Sequence, residues 1–146
     1  MKRLVIGFAG DKGVGKTTAC NVFKKAGFYP VSIEAKIEEF AHYLFPREEI
    51  EKNKDAILAN VRRSGYKAAR SYWLNLVLTS IPDDKNLIVI DDVGENEALN
   101  NAIQTYQICR SSSSPSSFIP NAEIILNDVS KDEFVTKLLK LVKNFK

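Results

Sequence analysis

Residues 10 to 17 read Gly10-Asp11-Lys12-Gly13-Val14-Gly15-Lys16-Thr17 and fit the pattern G-x-x-x-x-G-K-S/T at every fixed position. The glycines let the backbone turn tightly, so that successive N–H groups can point at one phosphate group. In such a loop the lysine reaches the terminal phosphates of a nucleotide, and the last hydroxyl can ligate Mg²⁺. The pattern therefore predicts a phosphate-binding loop.

The residues on either side of the loop support this interpretation. Leu4 to Ala9 form a short apolar run, which is typical of a parallel strand buried on both faces. Thr17 to Ala26 carry apolar residues at helical spacing, and Gly27 marks the end of that helix. The N-terminus of this helix, with its partial positive charge, is expected to face a bound anion. The residues expected to bind the nucleotide are Gly10, Asp11, Lys12, Gly13, Val14, Gly15, Lys16, Thr17 and Thr18.

The length and composition favour one small domain, 1–146. The net charge is only +3 and both signs are mixed along the chain, which does not favour a nucleic-acid partner. No signal peptide precedes the loop and no apolar run is long enough for a membrane span, so we expect a cytoplasmic protein without a membrane partner. Cys20 and Cys109 are expected to be reduced thiols. The sequence leaves open whether the chain forms a homodimer.

Strand and helix patterns alternate along the whole chain. After the first strand, strands are predicted at 28–33, 86–93, 105–110 and 123–126, with Pro30 at the start of the second strand. Further helices are predicted at 34–45, 47–64 (one or two helices), 67–79, 95–106 and 131–145. This alternation predicts the α/β class: a three-layer α/β/α sandwich around a five-stranded parallel sheet.

Two carboxylates follow the third predicted strand. Asp91 and Asp92 come directly after an apolar run, at the carboxyl end of the strand, where parallel sheets bind their ligands. Together with Thr17 they are the candidate Mg²⁺ ligands. The alternative is that the pair caps the helix expected at 95–106.

Three arginines lie close together in the helices after the second strand. Arg62, Arg63 and Arg70 could bind the phosphate of a second substrate, or they could simply solvate helix surfaces. His42 is the only histidine, and we expect it to be a surface or packing residue rather than a catalyst. The serine-rich stretch 111–117 is expected to be a mobile loop.

Four blocks, in this order, resemble the P-loop nucleoside monophosphate kinases, and most closely the phage-type deoxynucleoside monophosphate kinases. They are Gly10 to Thr17, Gly65-Tyr-Lys-Ala-Ala-Arg70 followed by Trp73, Val89-Ile-Asp-Asp92-Val followed by Asn96-Glu97-Ala98, and Ile124-Ile-Leu-Asn127-Asp128. The resemblance implies the P-loop nucleoside triphosphate hydrolase fold, with ATP and Mg²⁺ as cofactors. It also implies transfer of the ATP γ-phosphoryl group to a (deoxy)nucleoside monophosphate.

The resemblance also assigns roles to residues. Lys16 and Thr17 would hold the ATP phosphates and Mg²⁺, Asp92 would lie at the metal, and Arg70 would contact the acceptor phosphate. The expected catalytic residues are Lys16, Arg70, Asp92 and Arg110. The acceptor is expected on the helices at about 34–80, with Arg62, Arg63, Arg70 and Trp73 as its contacts. A short serine-rich lid is expected at about 110–120.

Three features depart from the family pattern. Gly94 stands where the family usually has an arginine, and Ser32-Ile-Glu-Ala-Lys-Ile37 matches only loosely a segment that usually offers an Asp and a Lys near Ser-Phe-Ala. The expected lid is mostly serine, with Arg110 at its edge as the only cation. Two alternatives therefore stay open: a regulatory or assembly protein that binds a nucleotide with weak catalysis, and a kinase of another small metabolite such as dephospho-coenzyme A. An Asn-Lys-x-Asp sequence is absent, so a guanine-specific switch protein is not favoured.

Overall fold

The computed structural model describes residues 3–111 and 118–145. The strands are β1 (Leu4–Ala9), β2 (Tyr29–Val31), β3 (Leu87–Ile90), β4 (Gln104–Cys109) and β5 (Glu123–Leu126). The helices are α1 (Lys16–Lys25), α2 (Ile33–Leu44), α3 (Arg47–Ala68), α4 (Tyr72–Thr79), α5 (Glu95–Ala98) and α6 (Lys131–Lys143). Among the helices in this part of the chain, none is both long enough and apolar enough to cross a bilayer.

All five strands run parallel in one sheet, in the order β2-β3-β1-β4-β5. The central strand is β1, whose Gly7 is paired with Ile90 of β3 on one side and with Thr105 of β4 on the other. The phosphate loop therefore leaves the middle of the sheet at its carboxyl edge, where parallel sheets bind ligands. The predicted α/β class with a five-stranded parallel sheet is confirmed.

The chain divides into two units. The first unit contains the sheet and takes the residues up to Val31 and from Asp83 onward. Its core is aromatic: the Phe8 ring of β1 lies 5.2 Å from the Phe23 ring of α1, centroid to centroid, and Phe134 of α6 joins the same cluster. Each such ring contributes about 1.5–3 kcal/mol by its burial. The helix that follows the phosphate loop is thus held to the sheet by packing.

The second unit, Ser32–Pro82, consists of α2, α3 and α4, which pack against one another. Helix α3 has a kink at Asn53, where the φ angle is −131°. The sequence predicted one or two helices here, and the structure has two helical segments that are joined at this kink. Trp73 is buried here, and its indole N–H donates to the Arg62 carbonyl over 2.9 Å.

Three local predictions need correction. The helix expected at 67–79 begins only at Tyr72, because a turn at residues 69–71 separates it from α3. The helix expected at 95–106 ends after one turn at Ala98, since the chain must enter β4 beside β1. Pro30 occupies the middle of β2 rather than its start; β2 is an edge strand, where a missing N–H is tolerated.

Gly65 gives a test of the packing in the second unit. A Cβ at this position would overlap the Trp73 indole and lie 2.8 Å from Tyr72 Cδ1. Glycine to alanine within a helix normally stabilises by about 0.5–1 kcal/mol, whereas overpacking costs about 1–3 kcal/mol. We therefore expect Gly65→Ala to lower the free energy of unfolding.

The measurement is urea unfolding followed by the fluorescence of Trp73, the only tryptophan in the chain. Lys67→Ala, an exposed change two residues further along the same helix, is the control. A Gly65→Ala variant as stable as the wild type, or more stable, would contradict the close contact with Trp73.

Candidate functional site

The loop between β1 and α1 has the backbone shape of a phosphate cradle. Gly10, Gly13 and Gly15 have φ angles of 145°, 83° and 117°, in the region that residues with side chains rarely adopt. A Cβ at Gly15 would also lie 2.8 Å from Asn127 Nδ2 and 2.9 Å from a Phe134 ring carbon. Helix α1 begins directly after Gly15, and its first turn carries no acidic side chain. The partial positive charge of the helix N-terminus is thus left for an anion.

Asn127, the residue after β5, holds the loop in place. Its side-chain Nδ2 donates to the Val14 carbonyl over 2.7 Å, and its backbone N–H donates to the Cys109 carbonyl over 2.8 Å. Asn127 is 91% buried, with 9% of its surface exposed. Asn127 does not cap the last helix, because Ser130 is its N-cap and the Ser130 Oγ accepts from the Glu133 N–H. A polar residue directly after an apolar strand was the signal for this role.

A cavity of about 530 Å³ opens at the phosphate loop. Its volume lies in the range of small-molecule sites. Its lining contains both cationic and apolar side chains, as a ligand with phosphates and a ring would require. The lining residues are Lys12, Gly13, Gly15, Lys16, Thr17, Thr18, Arg110, Asn127, Val129, Lys131 and Phe134.

Six of the nine predicted nucleotide-binding residues line this cavity; Gly10, Asp11 and Val14 do not. The side chain of Val14 turns into the core of the first unit, and the Asp11 carbonyl accepts the Val14 N–H over 3.4 Å. These residues shape the loop from within. Lys131 and Val129 were not predicted from the sequence, because they come from the other end of the chain.

Asp91 and Asp92 follow β3 beside the phosphate loop. The Val93 N–H donates to the Phe8 carbonyl of β1 over 3.0 Å, which keeps the two strand ends together. Burial, and then the charge and hydrogen bond of Asp92, raise the pKa of Asp91 from its ordinary 3.8 to about 6, against the opposing charge of Lys16. Burial, and then the charges of Asp91 and Asp92, raise the pKa of the Cys20 thiol to about 11. The two aspartates, Lys16 and Cys20 therefore share one electrostatic environment.

The Asp pair does not cap the following helix. Gly94 is the N-cap of α5, and its N–H donates to the Glu97 carboxylate over 3.1 Å. Asp91 Oδ1 is buried without a hydrogen-bond partner in the part of the chain that the structure describes. A buried carboxylate oxygen of this kind suits a cation.

The residues at this place fit a Mg²⁺ ion that arrives with a nucleotide. Mg²⁺ prefers oxygen ligands and usually keeps several waters beside substrate phosphates. The candidate ligands are the Thr17 hydroxyl and the two carboxylates. Residues 3–111 and 118–145 contain no group of three or more His, Cys, Asp or Glu side chains that could hold a metal. The phosphates and water would thus have to supply most of the ligands.

Arg110, directly after β4, is exposed and lines the cavity. It is the one predicted catalytic arginine that belongs to the first unit. The lid expected at about 110–120 falls largely on residues 112–117, which lie outside the described part of the chain.

The other predicted substrate residues belong to the second unit. Arg62 donates to Glu34 Oε2 over 3.5 Å and to the Tyr66 hydroxyl over 3.3 Å, and Arg63 donates to Asn60 Oδ1 over 3.2 Å. Arg70 is exposed in the turn between α3 and α4, and within the described residues no hydrogen bond or ion pair engages its side chain. Trp73 is only 2% exposed, so its main role here is packing.

Comparison with known proteins identifies the fold. No protein-family model and no curated protein matches the sequence. Among solved structures, the chain is similar to the dephospho-CoA kinase from Campylobacter jejuni, with a TM-score of 0.59, 15% identity, and coverage of 99% of this chain and 98% of that one. It also matches a provisionally named kinase from Chloroflexus aurantiacus, with a TM-score of 0.47, 14% identity, and coverage of 98% and 97%. The similarity to the dephospho-CoA kinase shows that the chain shares the fold of that enzyme.

The raised pKa of Asp91 predicts how stability depends on pH. The folded state holds the Asp91 proton more tightly than the unfolded state, so between pH 3.8 and about 6 the folded chain binds more protons. This contribution to the free energy of unfolding is fully present below pH 3.8 and is lost as the pH rises through about 6. We expect ligand-free Asp91→Asn to lose none of this stability as the pH rises, and to be more stable than the wild type at pH 7.

Chemical unfolding of both proteins at intervals from pH 4 to pH 7 measures this difference. Asp84→Asn, a change of an exposed carboxylate, is the control. Parallel stability curves for the wild type and Asp91→Asn would show that Asp91 has no raised pKa.

Proposed function

We propose that this chain is an ATP-dependent kinase that transfers the γ-phosphoryl group to a small acceptor containing a nucleotide. The observation that carries the proposal is the cationic cavity built on a fully formed phosphate loop at the carboxyl edge of a parallel sheet. The similarity to P-loop kinases supports this chemistry only by analogy of fold.

Different residues of the cavity suit different parts of ATP. Lys16 and the N-terminus of α1 suit the β- and γ-phosphates, and Lys12 adds a further positive charge at the loop. Val129 and the Phe134 ring offer apolar contact, while the Arg110 guanidinium can stack on a base or approach the phosphates. These residues position the nucleotide and balance the charge that develops during transfer.

Thr17, Asp91 and Asp92 are the residues that would hold Mg²⁺. The ion would neutralise phosphate charge when bound. The charge of Lys16 acts on Asp91, so the lysine and the carboxylate pair lie close enough to serve one bound nucleotide.

The acceptor is proposed to be a (deoxy)nucleoside monophosphate, with dephospho-coenzyme A as the alternative. The second unit contains an apolar cavity of about 300 Å³, lined in part by Phe40, Tyr72 and Trp73. Arg63 precedes the lining residue Ser64, and Arg70 lies in the turn before Tyr72. Aromatic walls with guanidinium groups nearby suit a base joined to a phosphate, which both acceptors contain.

A regulatory nucleotide-binding protein is the second candidate. It is favoured by the sequence between Arg110 and Lys131, which contains no lysine or arginine. Loss of one charge-stabilising donor typically costs about 10²–10³ in rate. On this reading the chain binds ATP but transfers its phosphate slowly or not at all.

The Lys16→Ala variant tests the proposal. Lys16 is partly exposed at the start of α1, so its truncation should leave the fold intact. We expect Mg·ATP affinity by isothermal titration calorimetry to fall at least about tenfold, because a desolvated charge contact to phosphate is lost. Lys25→Ala, at the exposed end of the same helix, removes the same charge and is the control.

An ADP-release assay with Mg·ATP then identifies the acceptor. The panel contains ribo- and deoxynucleoside monophosphates and dephospho-coenzyme A, each tested with wild type and Lys16→Ala. Turnover that depends on Lys16 with one acceptor establishes the kinase and selects between the two acceptor classes. ATP binding without turnover across the panel favours the regulatory protein, and unchanged ATP affinity in Lys16→Ala overturns both.

A further inference from the structure

We propose that Asp128 is a positioning residue that fixes Arg110 at the nucleotide cavity by bracing Ser111. This inference rests on the proposed function, because it gives Arg110 a part in nucleotide binding. The contacts that carry it join the end of β4 to the segment after β5.

The brace consists of two short hydrogen bonds. The Ser111 N–H donates to Asp128 Oδ1 over 2.8 Å, and the Ser111 hydroxyl donates to Asp128 Oδ2 over 2.6 Å. Both carboxylate oxygens are thus used by one residue, 17 positions away in the sequence. Hydrogen bonds to an ionised carboxylate are the stronger kind. The same two bonds hold the pKa of Asp128 below its ordinary value, so the group is an anion at neutral pH.

Arg110 lies between two such anchors. On one side the Cys109 carbonyl accepts the Asn127 N–H over 2.8 Å, and on the other side Ser111 is held by Asp128. The neighbouring residues Asn127 and Asp128 therefore hold the two residues on either side of Arg110. The backbone of Arg110 cannot move far while both anchors are in place.

The segment that supplies the anchors belongs to the cavity itself. Asn127 also holds Val14 of the phosphate loop, and Val129 lines the cavity directly after Asp128. One short segment thus sets the positions of the loop, the arginine and an apolar wall together. Binding a ligand through an arginine costs both backbone and side-chain conformational entropy, and a backbone that is already fixed removes the backbone part of that cost.

The charge of Asp128 distinguishes bracing from a simple electrostatic role. A carboxylate near a polyanion weakens binding, so removing it would strengthen Mg·ATP binding if its charge alone mattered. If its main role is to brace Ser111, removal weakens binding instead. The two roles therefore predict opposite signs for Asp128→Ala.

Isothermal titration calorimetry with Mg·ATP measures that sign. We expect Asp128→Ala to bind about three- to tenfold more weakly than the wild type, from the loss of two charge-assisted bonds. Asp128→Asn keeps an acceptor for the Ser111 N–H and should recover most of the affinity. Asp84→Ala removes an exposed carboxylate elsewhere in the first unit and is the charge control.

The dependence on Arg110 is tested in a double variant. If Asp128 acts through Arg110, Asp128→Ala should add no further loss in an Arg110→Ala background. Additive losses would assign Asp128 a general structural role. Unchanged or tighter binding in Asp128→Ala would overturn the inference while leaving the proposed function intact.

Hydrogen exchange in the ligand-free protein gives a readout that does not need ATP. The Ser111 amide should exchange faster in Asp128→Ala than in the wild type and Asp84→Ala, because its acceptor is gone. Equal exchange rates would show that the brace is absent. Failure of the wild type to bind Mg·ATP would overturn the proposed function and the role of Arg110 together.

Discussion

The hydrogen bond from Asn127 Nδ2 to the Val14 carbonyl connects residues 113 positions apart and joins the phosphate loop to the segment after β5. It is buried, so leaving the carbonyl unpaired would cost about 1–3 kcal/mol. The same asparagine contacts the end of β4 through its backbone. The loop, the start of α1 and the edge of the cavity thus depend on a residue that comes after the last strand.

The site contains charges of both signs. Lysines and Arg110 line the cavity, whereas Asp91 and Asp92 lie at the end of β3. Burial, and then repulsion from Asp92, raise the pKa of Asp91, which means that the ligand-free site holds its second negative charge at a cost. A cation that arrives with phosphate groups would relieve this repulsion, since it would balance the carboxylates and the phosphates together. This balance of charges is what the proposed binding of a metal-bound nucleotide requires.

The sequence predicted the parts of the fold that local patterns encode. The glycine loop, its flanking strand and helix, the parallel sheet and the position of Asp91 and Asp92 all follow from spacing and apolar runs. It did not predict that Asn127 holds Val14 or that Asp128 bonds Ser111, because these contacts join distant segments. It also extended α5 too far, since pairing with β1 overrides the helical pattern before β4. For the arginines of the second unit, contact with the acceptor is still a prediction from the sequence.

Calorimetric titration of Mg·ATP into Asn127→Leu tests the central claim most directly, because leucine has a similar size and cannot donate to Val14. Asn101→Leu, an exposed change in the turn before β4, is the control, and circular dichroism verifies the fold of both variants. The account predicts that Asn127→Leu binds Mg·ATP about tenfold or more weakly than the wild type and Asn101→Leu. Equal affinity for all three proteins would show that the loop keeps its shape without Asn127, and would contradict the account.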